Sequence, residues 1–408
     1  MKFMKLSVLV LFAVTLCWPT ALTRRVAGQQ GPITEAAAGF DNQTNGMVDQ
    51  ATFDQDRETF EERDDIAKGL GPVYNAQSCA ECHQNPVTGG ISQITVLRAG
   101  HRDEHGNFVE APGGSLINDR AIHPSLQEYV AYGETIQTFR TSLTTLGDGY
   151  VEAIADDTLI ALSRQQARDS RGQIAGQVIQ VPLLEAPGQT RVGRFGWKNQ
   201  QASLLSFSAD AYLNEIGITS RLLMEENTSM GRSVALFDKV AEPEDVGNDI
   251  DLFARFMRAS KAPSRDAALA ATPEARAGEQ TFSLIGCAIC HVPNLVTAPP
   301  GTVINGGTFT VPPALGNKMI HPYSDFLLHD VGTGDGIVQN GGSSTANKLR
   351  TPPLWGLRTR NRLLHDGTAM TFDEAILRHR GEAAQVMARF RLLNGLQRGQ
   401  VLAFLRSL

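Results

Sequence analysis

GPVYNAQSCAECHQNP (Gly71–Pro86) and FSLIGCAICHVPN (Phe282–Asn294) carry four of the chain's five cysteines, in two copies of C-x-x-C-H. With nine histidines in 408 residues, a His directly behind both cysteine pairs is not a chance arrangement. Two thiols at this spacing match the separation of the two vinyl groups of a haem. The next side chain then lies beneath the iron as its proximal ligand. Cys79, Cys82 and His83 therefore read as one attachment site for a covalent c-type haem, and Cys287, Cys290 and His291 as a second. Four cysteines in an exported chain would ordinarily suggest disulfides, but disulfides need no histidine. A zinc ribbon sets its two knuckles about 15–20 residues apart, whereas here half the chain intervenes. A thioredoxin-like pair would sit near a βαβ pattern, which is not seen.

The fifth cysteine, Cys17, lies in LSVLVLFAVTLCWP, behind Lys2 and Lys5 and ahead of Val26-Ala27-Gly28. The run is short for a membrane span and reads as an export signal over residues 1–28. Leu16 stands where a lipoprotein signal needs a small residue, so Cys17 is expected to leave with the signal. The expected location is periplasmic or otherwise exported, with no integral membrane span after removal of the signal.

Hydrophobic content of 42% and charged content of 20% suit a globular chain and exclude disorder and a multispan membrane protein. The length predicts two or three domains. Loss of Lys2, Lys5, Arg24 and Arg25 takes the net charge from −6 to −10, which makes nucleic acid a poor partner. Nine carboxylates between Asp41 and Asp65 face only Arg57 and Arg63. They read as a solvated face, or as a docking patch for a basic redox partner.

Residues 29–70 read as a polar lead-in with one short helix. NPVTGG and APGG mark loops, DGYVEAIADDTLIALSRQQA enters a helix, and RGQIAGQVIQVPLLEAPGQTRVGRFGW holds short β-like pieces. Helical spacing recurs over 199–216 and over 248–259, where Ile250, Phe253 and Met257 point inward. KAPSRDAALAATPEAR is a polar linker ending at Thr272-Pro273-Glu274, a helix start with Pro in the first turn. The chain closes on LNGLQRGQVLAFLRSL, an amphipathic helix. The expected fold is mainly α with long loops, in two cytochrome c-like haem domains: residues 29–265 and 266–408.

Each proximal His leaves one axial position on its iron. In LLHDGTAMTFDEAILRHR, Thr371 and Glu374 form a capping box, and Phe372, Ala375, Ile376 and His379 share one helix face. His379 is thus a candidate ligand of the second iron, with His365, Met370 and Met319 as alternatives. The first motif has no methionine between Met47 and Met224. Its local candidates are His101, His105 and His123, or an open site.

At these residues the chain resembles the bacterial di-haem cytochrome c peroxidase superfamily, and within it the di-haem oxidoreductases sometimes called thiol oxidoreductases. The likeness runs through GPVYNAQSCAECH, LGDGYVEAIADDTLIAL, GRFGWKNQQASL, NEIGITS, FSLIGCAICHVP and SDFLLHDVG. Its most specific part is LRTPPLWGLRTRNRLLHDGTAMTFDEAILRHRGEA. In the peroxidases the distal ligand of the C-terminal haem follows the His of HDG by fourteen residues, which here is His379 after His365. The peroxidases have Met at this position and the methylamine dehydrogenase maturation enzyme has Tyr. His/His ligation usually lowers the potential, so a high-potential donor haem does not carry over. Their Thr-x-Pro beside a calcium reads Arg360-Asn361-Arg362 here, which leaves calcium open. The resemblance also implies that Trp197 lies between the haems. It casts Glu152 as the distal carboxylate that moves a proton during peroxide cleavage, and His101 or His105 as a distal ligand that leaves the first iron in one redox state.

The expected function is a di-haem oxidoreductase of peroxidase type. One haem transfers electrons and the other acts on peroxide or a protein substrate, with a small redox protein or cytochrome as electron partner. The alternative is an electron-transfer cytochrome with both irons six-coordinate and no catalytic site.

Overall fold

The computed structural model describes residues 31–408, so the signal reading of residues 1–28, Cys17 included, lies outside the described residues. Residues Pro32–Leu408 pack as one unit, organised by two helix pairs.

The first pair joins α1 (Gln50–Glu61) to α2 (Asp249–Ala259). Asp49 caps α1 by accepting from Thr52 N–H at 2.8 Å, and the spacing of Phe53, Asp56 and Phe60 turns one face inward. Phe256 of α2 packs between Phe53 and Phe60, with ring centroids 5.2 and 4.8 Å away. Asp56 is buried in this contact and takes a two-pronged bond from Arg255, 2.7 Å on each arm. Of the nine early carboxylates, Asp56 and Asp64 are therefore buried.

The second pair joins α3 (Pro273–Ile285) to the C-terminal helix Gly395–Ser407. Pro273 opens α3, and Thr272 Oγ1 accepts from Ala275 N–H at 3.2 Å. The two helices touch at Gly278, where a Cβ would lie 1.9 Å from the Gln400 carbonyl oxygen, so only glycine permits this crossing. Phe282 and Phe404 meet beside it with tilted rings, centroids 5.2 Å apart. Each C-x-x-C-H follows the first helix of its pair.

Between the first motif and residue 147 the chain builds an antiparallel sheet that the sequence reading missed. Its central strand, Thr95–Arg102, pairs with Phe108–Glu110, Leu116–Ile117 and Ile136–Thr141. The fold is therefore mixed, with fifteen short strands beside eleven α-helices among the described residues, and "mainly α" is corrected. In Ile136–Thr141 the inward positions are Thr138 and Arg140, while Phe139 is 51% exposed. This inverts the apolar-in, polar-out alternation by which a strand is read.

Residues 260–272 connect the helix pairs, next to the boundary expected at 265/266. Two features tie the halves together. The lead-in strand Thr34–Glu35 lies parallel to Lys318–Ile320, with Thr34 opposite Lys318. The main core also gathers Phe53, Tyr150, Phe256, Leu295, Phe326 and Trp355 into one cluster.

Candidate functional site

Two cavities flank a common wall. One is lined by Cys79, Cys82 and His83, and the other by Cys287, Cys290 and His291.

The donor sets fit haem. His83 donates Nδ1–H to the Gly90 carbonyl at 3.2 Å, and His291 donates to Tyr323 at 3.0 Å. A backbone bond at Nδ1 sets the tautomer and leaves Nε2 free to ligate. Burial lowers both imidazole pKa values, that of His291 to about 4 with a further contribution from His379, so both rings are neutral as ligation requires. All four thiols are free, and burial raises their pKa, to about 12 for Cys82 and Cys287.

His379 also lines the second cavity, just past the end of α4 (Phe372–Leu377). Thr371 Oγ1 caps α4 by accepting from Glu374 N–H, whereas the Glu374 carboxylate accepts from Met370 N–H, so the expected box forms only in part. His379 donates Nδ1–H to the Ala375 carbonyl at 2.9 Å. It therefore has the same free Nε2 as the two proximal histidines. His365 lines this cavity with the opposite arrangement. Thr138 Oγ1 donates to the Phe139 carbonyl and so accepts from His365 Nε2–H at 3.2 Å, while His365 Nδ1 is buried without a partner. Met370 is 59% exposed, and neither it nor Met319 lines the cavity.

The first cavity contains none of the three local histidines. His101 sits in the strand Thr95–Arg102 and bonds Glu134 at 2.9 Å. His105 lies in an exposed turn, and His123 caps the turn Pro124–Leu126. The expectation for His101 is corrected accordingly: the pairing of its strand carries the ring elsewhere. Met257 of α2 does line this cavity. Its place on an inward helix face was legible, but not the cavity that face meets.

Glu152 lies in neither lining. It is fully buried, bonded to Arg258 at 2.6 and 2.9 Å, and accepts from Leu204 N–H and the Asn305 amide. Burial raises its pKa, but the Arg258 charge and the hydrogen bonds from Arg258 and the Leu204 N–H together outweigh this and hold it below the usual carboxylate range. Such a group joins three segments of the fold and is not poised to pass a proton. The carboxylates in the first cavity are instead Asp148, Asp210 and Glu215. Burial raises all three, Asp148 to about 7. Glu215 accepts from the Asn75 amide at 2.8 Å, and Asn214 donates to Asp210 at 3.1 Å. Arg98, Gln200, Asp210 and Asn214 also border an adjoining polar cavity, which gives the first site a polar mouth.

The common wall contains Trp197 and Arg350, which line both cavities. Trp197 donates its indole N–H to the Thr141 carbonyl at 2.8 Å. The second cavity also holds His329, buried between Asp325 at 2.9 Å and Glu382 at 2.8 Å. Burial opposes its protonation, but the Asp325 charge together with the hydrogen bonds of Asp325, Cys290 and Glu382 outweighs this and raises its pKa well above the ordinary value. Arg360, where the resemblance has its calcium-linked segment, lines this cavity as a half-buried cation.

No curated protein matches this chain. Among solved structures it is similar to Kuenenia stuttgartiensis hydrazine synthase, at 14% identity over 98% of this chain and 100% of that one, with a TM-score of 0.39. It is likewise similar to a MauG-like protein associated with microbial copper homeostasis, at 14% identity over 93% of each chain, with a TM-score of 0.43. The family model described as "Di-haem oxidoreductase, putative peroxidase" matches residues 126–408, a span that includes the second C-x-x-C-H and excludes the first. The chain belongs to that di-haem oxidoreductase family.

Proposed function

We propose that this protein is a periplasmic oxidoreductase of peroxidase type carrying two covalent c-type haems, one for electron transfer and one for peroxide or substrate chemistry. In this reading Cys79 and Cys82 hold one haem above His83, and Cys287 and Cys290 hold the other above His291. Bound haem supplies one-electron chemistry at iron and the capacity to break an O–O bond. The apolar leader behind Lys2 and Lys5 supports export. Among the described residues no helix is long and apolar enough to cross a membrane.

The observation that carries this reading is the difference between the cavities. The second has His379 with a free Nε2, suited to a closed, electron-transferring site. The first has no second imidazole but three carboxylates, Asp148 buried and Asp210 and Glu215 half-buried, and a polar mouth. Reducing one peroxide to two waters takes two electrons and two protons. The electrons come from a small redox protein, and Glu215 and Asp210 are the groups that hold protons near the mouth. Trp197 stands between donor and acceptor sites.

Met257 supports a second reading: a thioether on the first iron would make the protein an electron-transfer cytochrome. Cyanide titration followed by EPR separates the two. Binding at the His83 haem is expected. Binding only at the His291 haem would reverse the roles, and binding at neither would favour the cytochrome.

A further inference from the structure

Arg350 has an unusual position. It is 4% exposed, lies in the short strand Leu349–Arg350, and lines both cavities. Its backbone N–H donates to the Trp197 carbonyl at 2.8 Å and its Nη1 to the Arg194 carbonyl at 2.6 Å. Its Nε is buried with no hydrogen-bond partner. Phe326 lies under the guanidinium at 5.7 Å. Asp148 attracts Arg350 through space but shares no hydrogen bond with it.

Arg360 increases the imbalance. It lines the second cavity and bonds only weakly, to the Pro353 carbonyl at 3.4 Å. Its charge and that of Arg350 repel each other. Arg140, by contrast, lies in the first cavity but is already bound to Asp335, at 2.9 and 2.7 Å. A buried guanidinium such as that of Arg350, with no hydrogen-bonded carboxylate, is costly, and buried charges are ordinarily paired. The missing partner must be anionic, accept hydrogen bonds, and reach the common wall from the cavities.

We propose that Arg350 is the shared anchor for the carboxylate side chains of both haems, with Arg360 as a second anchor for the His291 haem alone. A guanidinium bonds carboxylates in a fixed fork, and its charge offsets theirs. A cation beside each haem edge favours the reduced iron. Arg350 thus sets both potentials together while Trp197, bonded to its backbone, stands between the sites. The inference rests on the di-haem reading above.

The test uses the haem-loaded full chain and an EPR-monitored redox titration that resolves the two haems. Pyridine haemochrome and intact mass first establish two haems per chain; fewer would remove the di-haem reading itself. With two haems present, Arg350→Gln is expected to lower both potentials, Arg360→Gln only that of the His291 haem, and Arg350→Lys neither by a comparable amount. An unmoved potential in Arg350→Gln, or an equal shift in Arg350→Lys, would overturn the assignment. If Arg350→Gln yields no haem-loaded protein, a crystal structure of the unmutated protein decides. Arg350 bonded to carboxylates of both haems is expected, and Arg350 bonded only to protein atoms would refute the proposal.

Discussion

Trp197 meets His365 edge to face at the wall between the cavities, with ring centroids 6.1 Å apart and planes at 74°. The same segments are tied again by Thr141, whose backbone N–H donates to the His365 carbonyl at 2.7 Å and whose carbonyl accepts the Trp197 indole. Trp197→Phe keeps an aromatic ring but leaves the Thr141 carbonyl unpaired, a cost of about 1–3 kcal/mol for a buried acceptor. Stopped-flow reduction should show slower electron passage between the haems at unchanged equilibrium potentials. An unchanged rate would remove Trp197 from the route.

His379→Ala should convert the second haem from low-spin to high-spin while leaving it covalently attached. His365→Ala should leave it low-spin, because the His365 Nε2–H is engaged by Thr138. Visible and EPR spectra of the two variants check this. The reverse pattern would make His365 the ligand.

Glu152→Gln should act on stability and not on chemistry. Breaking a buried ion pair from one side costs ~3–5 kcal/mol, so denaturant unfolding should shift strongly while the folded variant keeps its peroxide rate. The Glu152 pKa is depressed in the fold, so its contribution is present above the unfolded value of about 4.3. The difference between wild type and variant should shrink as pH falls below that value.

Glu215→Gln should slow the peroxide reaction by about 10²–10⁴-fold, the usual span for a lost acid–base group, with both haem spectra retained. Asp210→Asn tests the neighbouring carboxylate in the same assay. Full rates in both variants would take proton delivery away from this mouth.

Outside the linings of both haem cavities, Glu226 converges with Glu242 and Glu244. Burial, then the charges of Glu244 and Glu242, push its pKa up to about 9. A raised carboxyl keeps its proton in the folded state, so this site costs stability as pH rises from about 4.3 toward 9. Glu226→Gln should therefore raise the melting temperature at pH 8 and leave it unchanged near pH 4. A lower melting temperature at pH 8 would mean that the fold holds these carboxylates ionised.

The two C-x-x-C-H motifs were legible because covalent attachment and axial ligation use adjacent residues. The helices α1, α2, α3 and Gly395–Ser407 were legible for a related reason. Caps at Asp49, Thr272 and Asn394 and the spacing of inward residues are local signals. His379 sits at the junction: its helix phase and its offset from His365 are local, while its place beside His291 depends on packing.

The rest depended on contacts between distant segments. The strand Ile136–Thr141 turns Arg140 into the first cavity and Thr138 onto His365, so the polar pattern that hid it follows from what its inward face meets. Asp148 and Glu152 belong to one short helix, a single turn apart. Asp148 lines the first cavity, whereas Arg258 and Asn305, more than a hundred residues away, hold Glu152. Local spacing specifies which bonds the chain can make to a haem. The charge around each cavity arises from which distant side chains long-range packing brings to its wall, and no spacing within one segment encodes that.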